Sequence, residues 1–214
     1  MRAIPRLLLT LLVMGATAWP LRAQRTEGSV STTEVSGIRA RVEWVALPEG
    51  GLVMGGVQWM EEGNKPCGMV LLTRSLTDQS NGSFSAHRPA FDICDREDVG
   101  VPMRRDDSFR EVKQTGVGVY IGGIQVCRSN DRGHRLKGVT LLARSVTIAH
   151  PPGRPNTVQT SDLTGYPSEA HQRNCQISLS PVRCGQNEIA TGLAVNYNDD
   201  GIVGLALRCR PMRP

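Results

Sequence analysis

The sequence predicts an all-β domain with threefold internal pseudo-symmetry, and three observations carry that prediction. The first is a repeat, which is sought before any motif because it decides the architecture. "MGGVQWMEEGNKPCGMVLLTRSLT" begins at Met54, "IGGIQVCRSNDRGHRLKGVTLLARSVT" at Ile121 and "ATGLAVNYNDDGIVGLALRCRP" at Ala190. The anchor glycines Gly56, Gly123 and Gly192 stand 67 and 69 residues apart, and a second glycine in each copy (Gly68, Gly138, Gly204) opens another apolar run. The second observation is the period. Val139 and Leu141 flank Thr140, and Leu205 and Leu207 flank Ala206, the two-residue alternation of a strand. The third is the lack of any long window with a 3.6-residue apolar period, in a chain interrupted by 23 glycines and 13 prolines.

Taken in order, residues 1–23 read as a secretory signal. Arg2 and Arg6 precede the apolar "LLLTLLVMGATAW", which is too short and wrongly flanked for a membrane span. Cleavage is expected after Ala23, with Ala18 as the alternative, and no cysteine follows to anchor a bacterial lipoprotein. The expected location is therefore outside the cytoplasm, extracellular or periplasmic. The removed segment carries Arg2, Arg6 and Arg22 and no acid, so the +5 of the whole chain falls to about +2. That gives no electrostatic case for nucleic acid. The remaining chain, about 190 residues, suffices for one domain with a real core. Aromatics make up only 4%, so the core must be aliphatic.

Next, "QRTEGSVSTTEVSG" (24–37) is small, polar and aperiodic, and is expected to be a disordered leader. Order is expected from Ile38, where Ile38, Ala40, Val42 and Trp44 alternate with Arg39, Arg41 and Glu43. A single domain over 38–214 then divides into repeats at about 38–111, 112–178 and 179–214. Each copy supplies a hairpin whose turn is polar: "EEGN" at 61–64, "SNDRG" at 129–133 and "NDDG" at 198–201. The Pro-, Arg- and Ser-rich stretches 78–112 and 148–183 should hold the remaining strands and longer loops. Asn81-Gly82-Ser83 is a glycosylation sequon with meaning only in a eukaryotic secretory pathway. Two closed arrangements suit three such hairpin units: a β-prism of three sheets around a common axis, or a β-trefoil, whose units are usually shorter and more aromatic. The unit length favours the prism.

The third copy carries the sharpest local pattern, "CGQNEIATGLAVNYNDDGIVGLALRC" from Cys184 to Cys209. It resembles the repeat of the vitelline membrane outer layer protein I family. In that repeat a cysteine precedes a strand ending in glycine plus a large apolar residue, an Asp-Asp turn follows, and a second strand closes on cysteine. The matching residues here are Cys184, Gly192, Leu193, Asp199, Asp200, Gly204, Leu205, Leu207 and Cys209. The family's Gly-x-Trp-Gly-x-Trp stretches are missing, and the first two copies lack the paired cysteines. The resemblance implies a secreted, disulfide-bonded, three-sheet β-prism, related in shape to jacalin-type lectins.

Six cysteines, all beyond the signal, favour three disulfides over metal ligands or a catalytic thiol. Cys184 precedes the first strand of its copy and Cys209 ends the second, so one bridge is expected there. Cys67 and Cys127 sit in the doublets of their copies, and Cys94 and Cys175 in the segments that follow, which suggests Cys67–Cys94 and Cys127–Cys175. Six cysteines allow 15 connectivities in all.

Chemistry is sparse. His87, His134, His150 and His171 are isolated, with no zinc-ligand spacing. No nucleophile elbow, P-loop or dinucleotide fingerprint occurs, and "GVGVYIGG" at 116–123 runs into a strand rather than a helix. "NYNDDG" imitates the start of a calcium loop through Asn196, Asn198, Asp200 and Gly201, but its twelfth position is Leu207 instead of glutamate. The acids Asp92, Asp95, Glu97, Asp98, Asp106 and Asp107 read as solvated loop residues. Trp44 and Trp59 fall in strand patterns and read as core. No cofactor, metal or catalytic residue is expected. The sequence therefore points to a secreted, non-catalytic binding module for glycan or cell-envelope surface. Its candidate ligand-binding residues are the hairpin tips Glu61, Glu62, Asn130, Asp131, Asp199 and Asp200. A self-associating matrix protein and a glycan-acting enzyme are the alternatives.

Overall fold

The computed structural model describes residues 29–40, 42–48, 51–62, 65–76, 83–94, 110–131, 133–165, 167–172 and 174–213, with the backbone of 25–26. The expected signal, the Asn81 sequon and the acids Asp95, Glu97, Asp98, Asp106 and Asp107 lie outside the described residues. Among the described residues three two-residue strands come first, β1 (Arg25–Thr26), β2 (Ser31–Thr32) and β3 (Ser36–Gly37), followed by β4 (Val42–Ala46). The first hairpin is β5 (Leu52–Glu62) with β6 (Lys65–Ser75), followed by β7 (Ser85–Ala86), β8 (Phe91–Asp92) and β9 (Arg110–Lys113). The second is β10 (Val119–Arg128) with β11 (Leu136–Ala149), followed by β12 (Thr157–Asp162), β13 (Ser168–His171), β14 (Ile177–Ser178) and β15 (Val182–Arg183). The third is β16 (Glu188–Asn198) with β17 (Gly201–Arg213). Among the described residues there is no helix.

Each hairpin is the centre of its own antiparallel sheet, and the three sheets enclose one core. This is the threefold pseudo-symmetric β-prism, not the trefoil alternative. The sheets interlock through their outer strands. The strand just before each hairpin pairs with the previous sheet: β9 with β5, β15 with β10 and β4 with β16. Each anchor glycine stands where that outer strand crosses. A Cβ on Gly56, Gly123 or Gly192 would lie 2.3, 2.9 or 2.4 Å from the carbonyl oxygen of Val112, Val182 or Ala46, closer than any side chain tolerates. The register slips by one residue beside each of these glycines, at Met54/Gly56, Ile121/Gly123 and Ala190/Gly192, so every hairpin bulges at the same level.

The core is built in equivalent layers. Trp59, Val126 and Val195 form one set, Met69, Val139 and Leu205 a second, and Leu71, Leu141 and Leu207 a third, all fully buried. At the end away from the hairpin turns, Val53, Tyr120 and Ile189 pack with Leu76, Val146 and Met212, again one residue of each kind per copy. The turn before each hairpin repeats too. Gly51, Gly118 and Asn187 have φ of 73°, 69° and 58°. Their carbonyls accept the amides of Leu76, Val146 and Met212 at 2.9, 3.3 and 2.8 Å. Arginines clasp this end. Arg144 is buried, donates from Nε to Asp162 at 2.7 Å, and donates from Nη1 to the carbonyls of Cys184, Gly185 and Glu188 at 3.3, 2.7 and 2.8 Å. Its counterpart Arg74 donates to the carbonyls of Gly116 and Val119 in the next copy and lies 5.2 Å over the Tyr120 ring. Burial drives the pKa of Arg74 down and that of Tyr120 up, each partly offset by the other. The β11–β12 pairing runs past the last β10 partner, Ser145, to Ala149, and Val146, Ile148 and Val158 of this arm pack on the same end.

Two expectations are corrected. The leader is not disordered across 29–37: β2 and β3 pair with β17, and Thr33 exchanges bonds with Leu207. Its serines and threonines dock by backbone and hydroxyl bonds, which an apolar pattern does not reveal. The strand assigned to the first copy also belongs elsewhere. β3 holds the β17 edge of the third sheet and β4 its β16 edge, so residues 38–40 cross the outer face of that hairpin. Gly204 permits the crossing, because a Cβ there would meet the Ile38 carbonyl at 2.6 Å, and the Ala40 amide donates to Asn196 Oδ1 at 3.2 Å.

The disulfides are Cys67–Cys94, Cys127–Cys175 and Cys184–Cys209, as expected. The reason for the first two differs from repeat equivalence. Cys67 lies on β6 and catches the segment after β8, which pairs with β6; Cys127 lies on β10 and catches the segment before β14, which pairs with β10. Each of these two bridges therefore ties a hairpin to its own short outer strand.

Candidate functional site

The three hairpin turns meet at one end of the prism. In the first, Glu61 faces Pro66 and Glu62 faces Lys65 across the hairpin. In the second, the Ser129 amide donates to the Arg135 carbonyl at 3.0 Å and the Ser129 hydroxyl to Asp131 Oδ1 at 2.7 Å. In the third, Asn198 Oδ1 accepts the Asp200 amide at 2.9 Å, and Gly201 turns the chain at φ 103°.

Contacts between tips make them one surface. Lys137, just after the second tip, reaches Glu61 of the first at 3.1 and 3.2 Å; their side chains are 0% and 8% exposed. Arg135 of the second tip pairs with Asp200 of the third at 3.5 Å, both half-buried. Gly201 of the third tip abuts the first so closely that a Cβ would lie 2.4 Å from the Pro66 carbonyl. The structure therefore places all six predicted residues at one end but gives them different work. Glu61 is consumed in a buried ion pair and Asp200 is tied to Arg135. Glu62, Asn130, Asp131 and Asp199 are exposed, and Asn198 joins them. Asp131 is held below the usual carboxylate pKa by the Ser129 hydroxyl first, then by nearby Arg135 and bonds from the His134 and Gly133 amides.

An aromatic rim borders the third tip. Phe91 stands between Trp44 and Tyr197, with ring centroids 5.8 and 4.7 Å away and tilted planes. Phe91 is buried, Trp44 and Tyr197 are half-buried, and Val42, opposite Tyr197, is 47% exposed. Trp59 is core as expected, and Trp44, half-buried, packs against the core cluster from this rim. Sequence reasoning missed Lys137, Arg135 and the rim. The cations inside "DRGHRLK" signalled the first two, since acids on neighbouring tips need partners.

The four histidines are scattered: His87 on the β6 edge, His134 in the second tip, His150 bonded to Asn156 at 2.9 Å, and His171 at 3.2 Å from Thr140 Oγ1. Among the described residues one trio of ligand-type atoms lies within 4.8 Å, Glu62 with Cys67 and Cys94, and both sulfurs are spent in a disulfide. No described helix is long and apolar enough to cross a membrane.

No protein-family model matches the sequence, and no curated protein matches it. Solved structures do. The chain is similar to Calsepa lectin in complex with a bisected glycan, at 11% identity over 85% of this chain and 98% of that one, with a TM-score of 0.43. It is similar to Calystegia sepium agglutinin at 11% identity, over 86% and 99%, with a TM-score of 0.44. It is also similar to single-chain recombinant jacalin at 7% identity, over 87% and 97%, with a TM-score of 0.42.

Proposed function

We propose that this chain is an exported, non-catalytic glycan-binding module that presents the joined hairpin tips to its ligand. The observation that carries the reading is the convergence of three polar turns on one end, with Glu62, Asn130, Asp131, Asn198 and Asp199 left exposed. Carboxylate and carboxamide groups fixed on short hairpins suit vicinal hydroxyls, because charge-assisted bonds are short and directional. The half-buried rings of Trp44 and Tyr197 beside the third tip offer an apolar face to the C–H side of a sugar. Export is supported by the signal-like first 23 residues and by three disulfides. Kinship of the third repeat with the vitelline membrane outer layer protein I family forms part of the same proposal, resting on the Cys184 to Cys209 pattern.

The test is a glycan array with the chain lacking residues 1–23, alongside a variant carrying Glu62→Ala, Asn130→Ala, Asp131→Ala and Asp199→Ala. Glu61 and Asp200 stay untouched because they hold the tips together. Binding to a defined glycan class, weakened at least about tenfold in the variant, corresponds to losing some 1.4 kcal/mol and supports the site. Binding unchanged in the variant refutes the site, and no glycan bound by the intact protein refutes the function.

A further inference from the structure

The segment Ser31–Gly37 is fastened unlike the rest of the molecule. None of its residues belongs to either apolar cluster, and Ser36 alone among them is buried. Its attachments are polar. The Thr33 amide donates to the Leu207 carbonyl at 3.1 Å, and Thr33 Oγ1 accepts the Leu207 amide at 3.0 Å. The Ser31 hydroxyl donates to Glu188 at 2.8 Å, and the Arg208 guanidinium donates to Thr32. Ser36 Oγ accepts the Val126 amide at 3.0 Å and donates to the Ser180 carbonyl at 3.3 Å, so one hydroxyl pins the strap to the second sheet. Just past Ser36, Gly37 has φ 121°, and the Ile38 amide bonds to the Val203 carbonyl at 3.0 Å. Beyond the crossing, β4 is held by five consecutive β16 partners and by the aromatic rim.

We propose that the strap is an exchangeable strand, and that the edge of β17 accepts the strap of a second copy to give a reciprocal two-chain assembly. Opening the strap exposes little apolar surface, and water replaces its hydrogen bonds, so it lies at the low-stability end of the fold. The opened β17 presents a row of unpaired backbone groups along its edge, a template for another strand. The strand of matching register in solution is the same strap on another copy, and mutual exchange closes as a symmetric dimer in which every native bond is remade. The strap lies along the β17 edge and crosses the third hairpin beside Gly204, so exchange requires its bonds to β17 and those of Ser36 to the second sheet to open. This inference is independent of the glycan reading.

Thr32 and Arg208 are direct cross-strand partners, which makes them reporters. A chain carrying Thr32→Cys is mixed with a chain carrying Arg208→Cys, incubated over a range of concentrations and oxidised mildly. Neither chain can form the link alone. The expected result is a covalent heterodimer whose mapped peptide joins the two introduced thiols, rising with concentration. The double variant serves as the geometric control and closes the link within one chain when dilute. A mixture that yields no such peptide while the control closes overturns the proposal. Hydrogen exchange on the unaltered protein gives a second reading that depends on no substitution. The Thr33 and Ile38 amides should exchange at least about tenfold faster than those of Leu141 and Val195. Equal protection, showing that the strap opens only with global unfolding, overturns the proposal as well.

Discussion

Replacing Arg144 by methionine isolates the clasp that joins the second and third sheets. The methionine stem keeps the apolar packing beneath the guanidinium, where Gly122 leaves room: a Cβ there would lie 2.7 Å from Arg144 Cβ. What disappears is the donor set. Two carbonyls, on Gly185 and Glu188, lose bonds of 2.7 and 2.8 Å, and the 3.3 Å contact to Cys184 is too long to add much. A bond involving a charged donor contributes about 1.5–3 kcal/mol, and with Gly185 exposed and Glu188 half-buried the two carbonyls can turn to water once the guanidinium is gone. The Asp162 pair is 36% exposed on the aspartate side and adds well under ~1 kcal/mol. Allowing for water entering the gap, the loss is about 3–5 kcal/mol, a large share of the ~5–15 kcal/mol that holds a typical domain. Urea unfolding with the disulfides intact measures it, at unchanged m-value, and the melting temperature should fall by roughly 6–20 °C. Arg144→Lys should recover about half, because a single ammonium cannot reach carbonyls spread around a planar fork. A loss below ~1 kcal/mol for the methionine variant would refute the view that this arginine joins the sheets.

Three further outcomes follow from the same geometry. Glu61→Gln replaces the carboxylate that meets the fully buried Lys137 by a neutral amide and should cost about 1.5–3 kcal/mol in denaturant unfolding, whereas Glu61→Leu combined with Lys137→Met should restore most of it. Asn187→Gly should be neutral or stabilise by up to ~1 kcal/mol, and Gly118→Ala should destabilise by about 1 kcal/mol, because both positions hold positive φ; calorimetric melting separates them. The Asp131 pKa is depressed, so its stabilising contribution is complete above the unfolded value of about 3.9 and is lost as pH falls through the lower folded value. Carboxyl NMR titration should show that depression, and Ser129→Ala should remove most of it.

The parts of the fold legible in the sequence were those that repeat locally. Gly56, Gly123 and Gly192 mark strand crossings because a neighbouring backbone lies under 3 Å from where a Cβ would be. Alternation exposed β11 and β17 because each keeps one face on the core. Nonlocal pairing was hidden. Nothing within "RVEWVAL" says that β4 completes the third sheet, 150 residues downstream along the chain. The strap was hidden for a different reason, since hydroxyls and amides hold it and burial does not. At the tips, composition announced turns, but it could not tell that Glu61 would be spent on Lys137 while Glu62, one residue on, faces solvent. That distinction depends on which neighbouring sheet each side chain meets.

The distribution of likeness among the copies itself bears on function. Where the prism must close, the three copies agree in detail: the bulges, the positive-φ residues Gly51, Gly118 and Asn187, and the bonds they accept. Such agreement is what a shared packing problem imposes on any sequence that solves it three times. At the opposite end the copies differ in kind. One tip buries a glutamate against lysine, one fixes an aspartate on a serine, and one holds an asparagine-capped Asp-Asp turn beside aromatic rings. Closure alone would have been satisfied by three similar turns, as it is at the other end. A surface that recognises an asymmetric ligand needs different groups on a nearly symmetric frame, and the tips supply them while the frame stays constant. A threefold-equivalent rewrite of the tips, copying "NDDG" into all three, should therefore keep the fold's melting behaviour within a few degrees after the Lys137 partner is restored, yet abolish the selective glycan recognition proposed for this end. Selectivity surviving that rewrite would show that the differences among the tips serve packing alone.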